Sequence, residues 1–240
     1  MRCLLREGGG IRLVPSMMRI DRAKLAQILK IGLPAGIQGV LFSLSNVVIQ
    51  SSINSFGAVV MAGNSAAANI ELFVYFAMNA FYQAIISFTS QNYGAGRIKR
   101  IYKVLLRGQA CIVVIGGLLG VLVVIFGRTL LGVYSSSGAV IDAGMQRLWI
   151  LCSTYVLCGM MDGMVGTLRG LGYSVLPTVV TLLGACGLRL VWIATLFQAE
   201  AFHTVTTVYL SYPVSWAVTF GVHVLCFRWI MTKRLLVRKL

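Results

Sequence analysis

Glu71 and Asp162 are two of only six acidic side chains in a 240-residue chain, and each stands alone in a long apolar run. A carboxylate facing lipid is expensive, so both must point into a helix bundle or a wet cavity, where a carboxylate can hold a proton or a metal cation. Their neighbours are polar at helical spacing. At 100° per residue, Asn64, Glu71, Tyr75, Asn79, Tyr82 and Thr89 fall within about 60° of one line. Ser43, Asn46, Gln50 and Asn54 share a second face, and Tyr155, Cys158, Asp162 and Arg169 a third. Arg189 lies inside another apolar run. The chemistry these residues can do is reversible neutralisation of a carboxylate, with amides and hydroxyls completing a coordination shell. The competing reading is interhelical hydrogen bonding that only holds the bundle together. The candidates for ion coupling or substrate contact are therefore Glu71, Asp162, Asn46, Gln50, Tyr75, Asn79, Tyr82 and Arg189. Tyr75, Tyr82, Phe76, Phe81 and Met78 offer a soft wall to a flat cationic substrate. At 1.5 Å per residue, Glu71 and Arg189 both lie roughly 10–13 Å below the outer ends of their spans, and Asp162 lies in the other half. Arg189 is expected to approach Glu71 more readily than Asp162.

The elements that position these residues are membrane helices. Hydrophobic residues make up 58% of the chain and charged ones 11%, too few to cover a water-facing surface. A span needs roughly 20 apolar residues. Six segments qualify: 31–58, 59–91, 108–127, 148–168, 174–198 and 201–227. The expected fold is an all-α integral membrane protein, a six-transmembrane-helix bundle. The net charge of +15 is gathered in blocks between spans, which speaks for membrane lipids as partners and against nucleic acid. Of 21 Lys and Arg residues, 18 fall on one side; Arg128 and Arg147 fall on the other, and Arg189 is within a span. This predicts a plasma-membrane protein with both termini cytoplasmic, which an even number of spans also requires. The chain divides into a basic amino-terminal segment with a short amphipathic helix (1–30), the six-helix lobe (31–230) and a basic tail (231–240). Pro34 is expected to open the first helix and Pro213 to kink the last.

Other chemistry lacks support. The six cysteines form no C-x-x-C pair, and neither His203 nor His223 has a partner at ligand spacing. No cofactor is implied. The "GGG" at 8–10 lacks the Lys and Ser/Thr of a phosphate loop. No His–Glu or Ser–Lys pair sits at workable spacing for an intramembrane enzyme. Small-residue pairs at Gly32/Gly36, Gly116/Gly120, Gly159/Gly163 and Gly166/Gly170 permit close helix approach.

The stretches "IGLPAGIQGVLFSLSNVVIQSSINSFG", "AGNSAAANIE", "NAFYQAIISFTSQNYGAGR" and "GTLRGLGYSVLPT" resemble the multidrug and toxic compound extrusion (MATE) family, specifically its carboxy-terminal half. The resemblance runs from about Ile20 to the end of the chain. It implies one six-helix lobe of a two-lobe transporter that exchanges inward Na⁺ or H⁺ for outward organic, often cationic, drugs. It also implies a missing amino-terminal six-helix lobe or a second chain, since one lobe cannot enclose the cavity between two. Some relatives carry a glutamate early in the helix that starts "GLP". Here that neighbourhood reads Leu41, Phe42, Ser43. Others carry an aspartate near the place of Cys158, whereas Asp162 comes one turn later. Glu71 and Asp162 are thus candidates on this chain's own pattern. A channel half, a lobe of a flippase for lipid-linked oligosaccharides and an inactive fragment remain as alternatives.

Overall fold

The computed structural model describes residues 19–237. The segment before Arg19 and the last three residues, with part of the basic tail and most of the amino-terminal segment, lie outside the described residues. Six helices in this range are long and apolar enough to cross a membrane. They are α1 (Arg22–Asn54), α2 (Ala58–Gly94), α3 (Ile98–Gly132), α4 (Gly138–Gly170), α5 (Val175–Gln198) and α6 (Val205–Val237). The all-α bundle expected from hydropathy is what forms.

All the helices but α5 are longer than the apolar windows, because flanking charged residues end the hydropathy signal but not the helix. α4 gains about three turns at its start in this way, and Arg147 comes to lie well inside it. α1 shows the same effect. Asp21 caps it, its carboxylate accepting from the amides of Ala23 and Lys24 at 2.9 and 3.1 Å. From there the helix runs unbroken through Pro34. The separate short helix expected before residue 30 is therefore part of α1, and Pro34 lies inside the helix instead of opening it.

α4 is the central helix, packed on α2, α3 and α6. Glycines let it sit close. A Cβ on Gly63 of α2 would lie 2.6 Å from the carbonyl oxygen of Val140, and one on Gly170 would lie 2.7 Å from the side chain of Thr89. Gly120 of α3 abuts the carbonyl of Cys152 in the same manner. Gly32 and Gly36 have nothing within 4 Å, so this pair joins no helices in the described chain. Gly96 and Gly172 take the left-handed conformation after α2 and α4, with φ of 68° and 89°.

The core is built by Ile49, Val74, Met78, Ile112, Leu151 and Val208 with Trp216. Outward faces are apolar, as on α3 with Leu106, Val114 and Ile125, which suits contact with acyl chains. α5 is irregular. Its middle, Leu182–Gly187, is π-helical, and Thr219 of α6 presses on Gly184 there. A π turn widens a helix and rotates the residues beyond it, a device often found at functional sites. Arg189 is among the first residues beyond this turn.

Candidate functional site

A cavity of about 600 Å³ opens among α1, α2, α4, α5 and α6. α4 supplies its spine. Arg147, Leu151, Tyr155, Cys158, Asp162 and Arg169 lie within about 80° of arc on that helix, and all six line the cavity. α1 contributes Gln38, Phe42, Asn46 and Gln50, α2 contributes Glu71 and Tyr75, α5 Arg189, and α6 Tyr212 and Trp216. Six of the eight residues singled out by sequence are thus brought together. Asn79 and Tyr82 are half-buried but stand outside the cavity wall.

Glu71 faces inward and is 5% exposed. Its partner is Arg147. Nε and Nη2 of the guanidinium donate to the two carboxylate oxygens, each at 2.7 Å. The expectation that Arg189 would approach Glu71 is therefore corrected. A span drawn from residue 148 places Arg147 outside the membrane, whereas α4 begins at Gly138 and sets it roughly 13 Å into the helix. The signal is present in the sequence, since the face shared by Tyr155, Cys158, Asp162 and Arg169 reaches Arg147 when continued backwards. Nη1 of Arg147 donates to Asn64 at 2.6 Å, the Tyr209 hydroxyl donates to the same oxygen at 3.3 Å, and Asn64 donates to Gln50 at 2.8 Å. Gln50 in turn donates to Asn54 at 2.8 Å. One network joins α1, α2, α4 and α6.

At the opposite end of the cavity sits Arg169. It donates to the Tyr82 hydroxyl at 2.5 Å, to Gln38 at 2.7 Å and to Thr178 at 3.4 Å. Tyr82 thus acts through Arg169, and the cluster ties α1, α2, α4 and α5 together where the cavity ends. Asp162 lies between the two arginines on α4. Of the ion pairs among the described residues, Arg128–Asp142 and Arg147–Glu71, neither uses it.

Arg189 is 2% exposed. Its Nε donates to Ser215 at 2.7 Å. Its guanidinium lies 4.2 Å from the ring centre of Tyr212, 5.5 Å from Trp216 and 5.7 Å from Phe42. The aromatic wall accordingly differs from the one expected on α2. Phe76 points outward at 64% exposed, and Met78 is buried in the core. Of the α2 set only Tyr75 lines the cavity, and the rest of the wall comes from Phe42, Tyr155, Tyr212 and Trp216. These residues are scattered over three helices, and no single-helix periodicity would have grouped them.

The chain is similar to known proteins over most of its described length. The MatE family profile matches residues 34–195. The probable multidrug resistance protein YoeA of Bacillus subtilis is 25% identical over 202 residues, which is 84% of this chain and 43% of that protein. The multidrug export protein MepA of Staphylococcus saprophyticus is 23% identical over 181 residues, 75% of this chain and 40% of that protein. Among solved structures, the bent form of the Vibrio cholerae MATE transporter VcmN superposes with a TM-score of 0.78 at 16% identity, over 91% of this chain and 49% of that one. The outward-facing structure of a multidrug resistance MATE family transporter of the MOP superfamily gives 0.80 at 16% identity, over 95% and 51%. The chain spans about half the length of the relatives it matches.

Proposed function

This chain belongs to the MatE family, and on that premise we propose that it forms one lobe of a multidrug efflux transporter working by alternating access. Its complement is a missing amino-terminal six-helix lobe or a second chain. The assembly sits in the plasma membrane, with both ends of this lobe cytoplasmic. It exports organic compounds, cationic ones among them, in exchange for Na⁺ or H⁺. The observation that carries this reading is a cavity holding two carboxylates at the heart of a bundle whose outer faces are apolar.

Within this reading the two carboxylates have different tasks. Glu71 is neutralised in place by Arg147, so it fixes α2 against α4. Asp162 has no guanidinium bound to it in either ion pair among the described residues and lines the same cavity. Asp162 is therefore the group that takes and releases the coupling ion, with Asn46 on the α1 wall of the same cavity. Loading it with a cation removes a charge from the cavity, and this biases the two conformations differently.

The test is a chimera in which this chain replaces the matching half of YoeA. Dye extrusion from cells or vesicles, driven by a Na⁺ or H⁺ gradient and lost in Asp162→Asn, is the expected result. A chimera that inserts and folds but never extrudes dye sinks the proposal. Conductance without exchange would support a channel half.

A further inference from the structure

We infer that Arg189 binds the carboxylate of a ligand whose flat ring stacks beside it, so that the cavity selects for organic acids or zwitterions as well as for cations. The inference rests on the reading that this cavity is the ligand path, and it deepens that reading.

Three guanidiniums line the cavity against two carboxylates, which leaves one positive charge in excess. The three are not equally provided for. Arg147 is held on both edges, by Glu71 and by Asn64. Arg169 is shared by a phenol, an amide and a hydroxyl, with only its Nε left without a partner among the described residues. Arg189 has one hydrogen bond, from Nε to Ser215, and its Nη2 is buried with no hydrogen-bond partner among the described residues. A buried cation normally carries a carboxylate or a full set of acceptors, because desolvation without compensation is costly. Ring faces compensate only in part. The unmet demand is for an oxyanion.

The surroundings specify the rest of the ligand. Phe42, Tyr212 and Trp216 stand around the guanidinium within 4.2 to 5.7 Å, each on the cavity wall. A planar aromatic acid satisfies both features at once. Its carboxylate takes Nη1, the guanidinium nitrogen that is neither hydrogen-bonded nor sealed off, and its ring lies among the three aromatic side chains. Guanidinium is suited to this work by its planar fork, which matches a carboxylate. The π-helical turn at Leu182–Gly187 sets the rotation of α5 that aims Arg189 inward. Asp162, on the α4 wall of the same cavity, is placed to meet a cationic end when the ligand is a zwitterion.

The experiment uses the full chain purified in an uncharged maltoside detergent, which supplies no anionic head group. Calorimetric titration compares 2-naphthoate with 2-naphthylmethylammonium, the same ring carrying opposite charges. The expected result is that naphthoate binds, that R189Q weakens it tenfold or more, and that naphthylmethylammonium, relieved of a like charge, binds no more weakly than to the parent chain. R189M, which keeps the stem, supplies the same comparison should the Gln variant fold poorly. Equal naphthoate affinity in the parent chain and a folded neutral variant overturns the inference, as does an absence of naphthoate binding to the parent chain. The YoeA chimera separates the two claims. Dye extrusion without Arg189-dependent naphthoate binding defeats the acid site alone. Arg189-dependent binding in a chimera that extrudes nothing defeats the transport reading alone.

Discussion

Arg147 donates two hydrogen bonds of 2.7 Å to the two carboxylate oxygens of Glu71, 76 positions earlier in the chain. The side chains of both residues are less than a tenth exposed. A bidentate pair of this kind is worth little relative to two apolar residues, yet losing one partner strands the other charge.

Either Glu71→Gln or Arg147→Gln should therefore lower stability by about 3 kcal/mol, read as a fall in melting temperature of the detergent-solubilised protein. The double replacement Glu71→Met with Arg147→Met should recover most of the loss. An exchange of charges between positions 71 and 189 should recover none, because Arg189 is held by Ser215 and the Tyr212 ring. Full rescue by the 71/189 exchange would refute the observed pairing.

Asp162→Asn should leave melting temperature within a few degrees of the parent and abolish gradient-driven dye extrusion by the YoeA chimera. No ion pair among the described residues is broken by this change. Glu71→Gln behaves in the opposite way, with its loss of extrusion following its loss of folded protein. Gradient-dependent extrusion by the Asp162→Asn chimera would remove Asp162 from the coupling step.

The helix contacts make a contrasting pair of predictions. Gly120→Ala places a methyl group on the carbonyl of Cys152, a backbone atom that cannot step aside, and should cost about 1–3 kcal/mol. Gly36→Ala meets nothing within 4 Å inside a helix and should be neutral or stabilise by up to about 1 kcal/mol. Thermal melts of the two variants check both signs.

Tyr82→Phe removes the hydroxyl that accepts from Arg169 at 2.5 Å while keeping the ring. Loss of a hydrogen bond to a charged group should cost about 1.5–3 kcal/mol. The same change loosens the end of the cavity where Arg169 ties α1, α2, α4 and α5. A cysteine introduced at Ser43, on the cavity wall, should then react faster with a soluble maleimide in a background whose native cysteines are replaced. An unchanged rate would show that this cluster does not restrict access.

Much of this site is legible along the chain. The α2 stripe predicts an inward Glu71 because side-chain direction on one helix follows from 100° per residue alone. The face holding Tyr155, Cys158, Asp162 and Arg169 is read in the same way and lines the cavity as a block. Arg147 escapes that reading for a specific reason. Hydropathy windows stop at a charge, but a helix continues through it whenever another helix neutralises that charge.

The sequence by itself determined the six membrane helices and the inward direction of their polar faces. Apolar length and angular position are properties of neighbouring residues, and lipid enforces both without regard to the rest of the fold. Only the tertiary structure decided which inward groups meet. Partner choice depends on how far each helix is shifted and turned against the others. Those shifts are set by contacts between distant positions, such as Gly63 on Val140, Gly170 on Thr89 and Thr219 on the widened turn at Gly184. They bring Glu71 to Arg147 and leave Arg189 among aromatic rings with a hydrogen-bonding edge still open.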